Sequence, residues 1–128
     1  MREAKKRKQR LKYRCLMRKI FAELETGGWK IEVVRFAEYN QPEKLLGFIT
    51  PWTRTIYVDV RSDLILTLVH EVLHAVFYKY TEEAICILEE FIRSRLTHGD
   101  LLKLMSYLMT KNGLLRKHFP IFHANNES

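Results

Sequence analysis

Leu64-Ile65-Leu66-Thr67-Leu68-Val69-His70-Glu71-Val72-Leu73-His74-Ala75-Val76-Phe77-Tyr78 reads as one buried helix with a polar interruption at its middle. The interruption spells His-Glu-x-x-His. Positions four apart lie on one face of a helix, one turn apart. His70 and His74 can therefore point at a single metal ion. Glu71 lies about 100° round the same helix and can reach a water on that ion. Two imidazoles and a carboxylate inside an apolar helix would cost several kcal/mol if left unpaired. A bound cation removes that cost.

The pattern implies Zn²⁺ as cofactor, with Glu71 as the general base. A hydrolytic zinc site has three protein ligands and one open position for water. Two of the three are His70 and His74. No Gly and third His follow directly, so the extended H-E-x-x-H-x-x-G-x-x-H form is absent. The residues alone leave the third ligand open among Glu82, Glu83, Glu89, Glu90 and His98.

Outward from the motif, the chain reads as α+β. Residues 2 to 24 lack Gly and Pro and carry Leu11, Cys15/Leu16, Ile20 and Leu24 at helical spacing, with Gly27-Gly28 as the stop. This helix is expected to be amphipathic from about Leu11. Trp29 to Phe36, Leu45 to Ile49 and Thr55 to Val60 read as three short strands, the last with Ile56, Val58 and Val60 on one face. Asn40-Gln41-Pro42 and Pro51-Trp52-Thr53-Arg54 read as turns. Ser62 or Asp63 caps the motif helix, which runs to about Lys79. Thr81 caps a following helix whose apolar face is Ala84, Ile85, Leu88, Phe91, Ile92 and Leu96. A last helix, Leu101 to Lys111, begins at Gly99 or Asp100 and closes at Asn112-Gly113. The expected organisation is a basic helix or arm over 1–26, a body over 27–113 and a tail over 114–128.

The stretch from Gly47 to about Leu96 resembles the gluzincin clan of zincin-like metallopeptidases, in particular minigluzincins and short prokaryotic and phage proteins related to the ImmA/IrrE group. The resemblance rests on Leu46-Gly47-Phe48-Ile49, on Thr55-Ile56-Tyr57-Val58-Asp59 and on Thr67 to Ala75. Glu82-Glu83-Ala84-Ile85 also resembles the Asn-Glu-Ala-Ile stretch that carries the zinc Glu in thermolysin-like enzymes. The resemblance implies a zincin-like fold, peptide-bond hydrolysis of a peptide or protein substrate, and Glu83 as the third metal ligand. It also implies an edge strand along the cleft, Leu45 to Ile49 or Thr55 to Val60, to which an extended peptide pairs. An oxyanion donor is needed as well, with Tyr78, Tyr80, Tyr107 and His98 as candidates. Four residues after Glu83, where the family often has an acid, stands Ile87. Some minimal gluzincins are self-blocked. By that analogy a tail residue, His118 or His123, could lie in the cleft; as plain residues both read as surface histidines.

Charge is uneven. Residues 1–19 hold ten Lys/Arg against Glu3 alone, a net of +9, whereas the rest of the chain nets −2. Such an arm suits phosphate neutralisation, an acidic partner or a merely solvated face. A competing reading follows: a nucleic-acid- or protein-binding module whose zinc site is structural or vestigial. Cys15 and Cys86 read as reduced thiols. Nothing in the sequence supports either as a thiolate plug on the metal. No stretch approaches the roughly 20 apolar residues of a membrane span. Charges interrupt any signal-peptide core near the start, so a cytoplasmic protein is expected.

Overall fold

A computed structural model describes residues 2–34, 47–59 and 62–111. Among these the chain is α+β, with four helices and a small mixed sheet. The order is α1 (Arg2–Thr26), β1 (Lys30–Val34), β2 (Gly47–Thr50), β3 (Thr55–Asp59), α2 (Leu64–Val76), α3 (Glu82–Arg93) and α4 (His98–Lys111). The turn at Asn40-Gln41-Pro42, the strand ends beyond Val34 and before Gly47, Val60, and the tail with His118 and His123 lie outside the described residues.

α1 is continuous from its basic start, as helix formers without Gly or Pro allow. Its second half is core, not appendage: Tyr13, Leu16, Met17, Ile20, Phe21 and Leu24 are buried. Leu11 and Cys15 were expected on this face and are instead exposed. The reason is phase. Leu16, Ile20 and Leu24 repeat every four residues, but Leu11 stands five before Leu16, about 140° away, and Cys15 is 100° off. The helix stops where Gly28 turns left-handed at φ +68. A Cβ on Gly27 would meet the Glu23 carbonyl oxygen and the Trp29 indole, each at 2.5 Å. Trp29 Nε1 donates to Glu23 at 3.2 Å across this turn.

The sheet runs β1-β3-β2, with β1 parallel and β2 antiparallel to β3. β2 and β3 form a hairpin closed by a 3₁₀ turn at Pro51–Thr53 and by Arg54 in the left-handed region at φ 52. Thr50, Thr53 and Thr55 tie its ends by hydroxyl hydrogen bonds. Ile31 on β1 and Ile56 and Val58 on β3 turn into the core. β3 is therefore the central strand and cannot accept a further strand; of the two candidate edges, only the segment that forms β2 is one.

α2 lies across this sheet and also touches α1, α3 and α4. Leu68, Val69, Val72 and Leu73 are fully buried and form one broad apolar face, about 140° wide, with His70, Glu71 and His74 on the opposite side. Asp63 caps it by accepting from the Leu66 N–H at 3.2 Å. It ends at Val76, three residues short of Lys79, because Phe77 leaves helical geometry. Thr81 then caps α3 through the Ala84 N–H at 3.2 Å. Ile85 and Ile92 of α3 are buried, and Leu88, Phe91 and Leu96 pack against the core as their spacing requires. α4 starts at His98 and buries Leu104 and Leu108.

A polar clamp joins α1 to α4. Tyr13 Oη donates to Asp100 Oδ2 at 2.6 Å and accepts from the Thr97 N–H at 3.2 Å. Burial and the bond to Asp100 both raise the Tyr13 pKa above its ordinary 10. A raised folded value means the contribution is whole below pH 10 and is lost as pH climbs through the folded pKa. Tyr13→Phe is expected to cost about 1–2 kcal/mol at pH 7 by leaving Asp100 and Thr97 unsatisfied. The gap to wild type should narrow above pH 10. Urea denaturation of both proteins between pH 7 and 11 measures this; a gap that stays constant with pH contradicts the clamp.

Candidate metal centre

The centre is built from two helices that fold back on each other through the short turn at Phe77–Tyr80. α2 supplies His70 and His74. α3 supplies Glu82, Cys86 and Glu89, which fall at i, i+4 and i+7 and so share one stripe. That stripe lies beside the buried one of Ile85 and Ile92, leaving Glu83, Ile87 and Glu90 to face outward.

Glu82 bridges both imidazoles. Its Oε1 is 2.7 Å from His70 Nε2, and its Oε2 is 2.7 Å from His74 Nε2. The two Nε2 atoms are 3.2 Å apart. On its other side, His70 Nδ1 is 3.2 Å from Glu89 Oε1. A carboxylate only accepts, so Nδ1 carries the proton and donates. The Nε2 of a neutral His70 is then a lone pair, and it faces a carboxylate oxygen and a second imidazole nitrogen. Acceptors that close repel unless a cation, a proton or a metal ion, lies among them. Nδ1–H to carboxylate with Nε2 turned inward is also how ligating histidines are held. His70, Glu82 and Cys86 offer ligand atoms that all lie within 4.8 Å of one another, a group that could hold a metal ion.

Protonation follows the same geometry. The bond to Glu89 raises the His70 pKa against the opposing effect of burial. Burial pushes the Glu82 carboxyl up, but His70 and His74 outweigh it and hold it below the usual carboxylate range.

Glu71 is set apart from this cluster, on the sheet side of α2. It is only 6% exposed, and burial pushes its pKa up to about 7, with His70 opposing and Glu82 and Glu89 adding. A carboxyl tuned near neutrality can both take and return a proton. β2 crosses directly over it. A Cβ on Gly47 would stand 2.6 Å from Thr67 Cγ2 and 3.1 Å from Glu71 Oε2. Gly47 thus lets the edge strand and the motif helix approach with Glu71 between them.

Of the residues singled out from sequence, His70, His74 and Glu71 share one helix, and Glu82 and Glu89 join the histidines. Glu83 does not. Glu82, one residue earlier, is the acid that reaches the imidazoles, because the turn sets the phase of α3 and one residue is 100° of rotation. Glu90 pairs with Arg93 at 3.3 Å, and His98 is exposed at the start of α4. Tyr107 bonds to Glu25, away from the centre. Tyr78 and Tyr80 are 77% and 50% exposed on the connecting turn. Cys86 was not expected at the centre; its Sγ donates to Glu82 Oε1 at 3.7 Å. Its signal was legible, since Glu82-x-x-x-Cys86 repeats the spacing of His70-x-x-x-His74.

Searches of protein-family models, curated proteins and solved structures found no match to this chain. Its own geometry therefore carries the functional reading.

Gly47→Ala is expected to destabilise the fold by about 1–3 kcal/mol, since the methyl overlaps Thr67 and crowds Glu71. A urea midpoint equal to wild type would show that β2 does not press on α2.

Proposed function

We propose that the chain is a zinc-dependent metallopeptidase of zincin-like, gluzincin-type architecture. His70, His74 and Glu82 are the metal ligands, and Glu71 is the general base. The observation that carries the reading is the Nε2 pair at 3.2 Å bridged by Glu82, with the His70 tautomer set by Glu89. Two zinc–nitrogen bonds of about 2.0–2.1 Å at a tetrahedral angle put their nitrogens about 3.4 Å apart, close to this spacing. When bound, zinc supplies an activated water and polarises a carbonyl.

The other roles belong to the chain. Glu89 orients His70 and keeps its lone pair inward. Glu71, whose burial raises its pKa to about 7, accepts the water's proton in its carboxylate form and passes it to the leaving amine. β2 is the strand along which an extended peptide lies, by main-chain pairing at its free side. Cys86 stands behind Glu82 as a thiol donor, which leaves the centre three protein ligands and an open position, as hydrolysis requires.

Zinc content by elemental analysis of untagged protein, together with hydrolysis of a fluorogenic casein, tests this. Wild type should hold about one zinc. His70→Ala, His74→Ala and Glu82→Ala should lose it while keeping their circular dichroism, and Glu83→Ala and Cys86→Ser should retain it. Glu71→Gln should keep zinc and lose at least about 100-fold in turnover. A zinc-free wild type after reconstitution sinks the proposal, and so does an active Glu71→Gln. Loss of zinc from Cys86→Ser would mark a closed, structural site instead.

A further inference from the structure

Along one flank of α1, a groove of about 920 Å³ runs between α1, the α3–α4 connection and α4. Six cations line it: Lys6, Arg10, Arg14 and Arg18 from α1, Arg95 after α3 and Lys103 from α4. We propose that this groove is a nucleic-acid site that holds the phosphodiester backbone of a strand.

The four α1 cations recur every four residues. They form one stripe with steps of about 6 Å along the helix axis, of the order of the separation of successive phosphates on one strand. Among the described residues, none of the four has a carboxylate within ion-pair distance. The groove's two acids are already engaged. Asp100 accepts from Tyr13, and Glu25 is bonded by Tyr107 and lies 3.7 Å from Lys103. The six cations therefore outnumber the two acids of the groove, and the four on α1 have no ion-pair partner among the described residues.

That placement opposes the helix. Like charges at i, i+4 repel. Cations also crowd the positive N-terminal end of α1, whose first turn holds only Glu3 as an acid and whose last turn holds no base. A polyanion in the groove reverses both penalties. Arg95 and Lys103, about 80 residues further along the chain, extend the stripe into a two-sided channel, which a solvated arm would not need. Arg95 is held in place by stacking on Phe91 at 4.0 Å and by donating to Ser94 at 2.7 Å.

The aromatic floor, Tyr13 and Phe21, is only 7% and 8% exposed. It cannot stack bases, so the groove reads backbone and not sequence. The site is separate from the metal centre and does not rest on the metallopeptidase reading.

Fluorescence anisotropy of the full chain with a fluorescein-labelled, mixed-sequence single-stranded DNA 20-mer, and with its RNA counterpart, tests this between 50 and 200 mM salt. Wild type should bind with little sequence preference. Arg14→Gln/Arg18→Gln removes two phosphate contacts and should lower the slope of log affinity against log salt by about 1.4. Lys5→Gln/Lys8→Gln removes the same charge from the opposite flank and should leave the slope nearly unchanged. Both pairs are exposed and Gln is a good helix former, so helicity by circular dichroism should match wild type. Equal losses in the two pairs would overturn the groove in favour of unspecific attraction by the arm. No binding to either oligonucleotide would also overturn it. So would binding confined to phosphatidylserine vesicles. Glu71→Gln should bind as wild type does, which keeps this result separate from the fate of the hydrolase reading.

Discussion

α2 must bury a broad apolar face while carrying three ionisable side chains through the same interior, and the rest of the structure answers that constraint. Leu68, Val69, Val72 and Leu73 are fully buried between the sheet, α1, α3 and α4. At roughly 1.5–3 kcal/mol for each such side chain, this burial holds the helix in place. His70, Glu71 and His74 are carried in with it. α3 answers the two histidines with Glu82 and Glu89, and β2 closes over Glu71. Where hydrophobic burial wins, polar groups must find partners, and the two histidines find theirs at one point, on Glu82 and Glu89.

The partner set depends on a four-residue turn. Phe77–Tyr80 fixes both where α3 starts and its rotation about its own axis. One rotation buries Ile85 and Ile92 and at once brings Glu82, Cys86 and Glu89 to the histidines. The core and the candidate metal centre are two stripes of one helix, so packing selects which acid meets the histidines. A shift of one residue would bring Glu83 inward and would also turn Ile85 out of the core, which the buried area forbids. The same logic separates the two carboxylates' tasks. Glu82 is 61% exposed in its side chain and is held ionised by the imidazoles, whereas Glu71 is buried and driven toward neutrality. Those opposite environments are the ones the proposed ligand and the proposed proton carrier need.

α1 has a divided role along its faces. Its buried face supplies much of the core through Ile20 and Leu24 and locks onto α4 through Tyr13. Its flank presents Lys6, Arg10, Arg14 and Arg18 to a groove completed by Arg95 and Lys103. The apolar half anchors the helix, and the anchoring holds the cations in a fixed row. A flexible arm of the same charge could not keep that spacing.

The sequence by itself determined the element types, because they rest on local physics: period and capping for the helices, β-branched runs for the strands, glycine for the stops. Asp63 and Thr81 were legible as caps, Ile56 and Val58 as a core face, and His70, Glu71 and His74 as one constellation, since i, i+4 spacing is geometry that a helix cannot evade. Only the tertiary structure decided which acid meets the histidines, which strand is central and which cations share a groove. Glu82 and Glu83 are chemically identical and adjacent, so only the helix phase set by packing separates them. Leu11 and Leu16 are likewise equal in hydrophobicity, and α1's contact with the core, not composition, chose between them. Arg95 and Lys103 stand some 80 residues from Arg14, and no local rule could have joined them to its stripe.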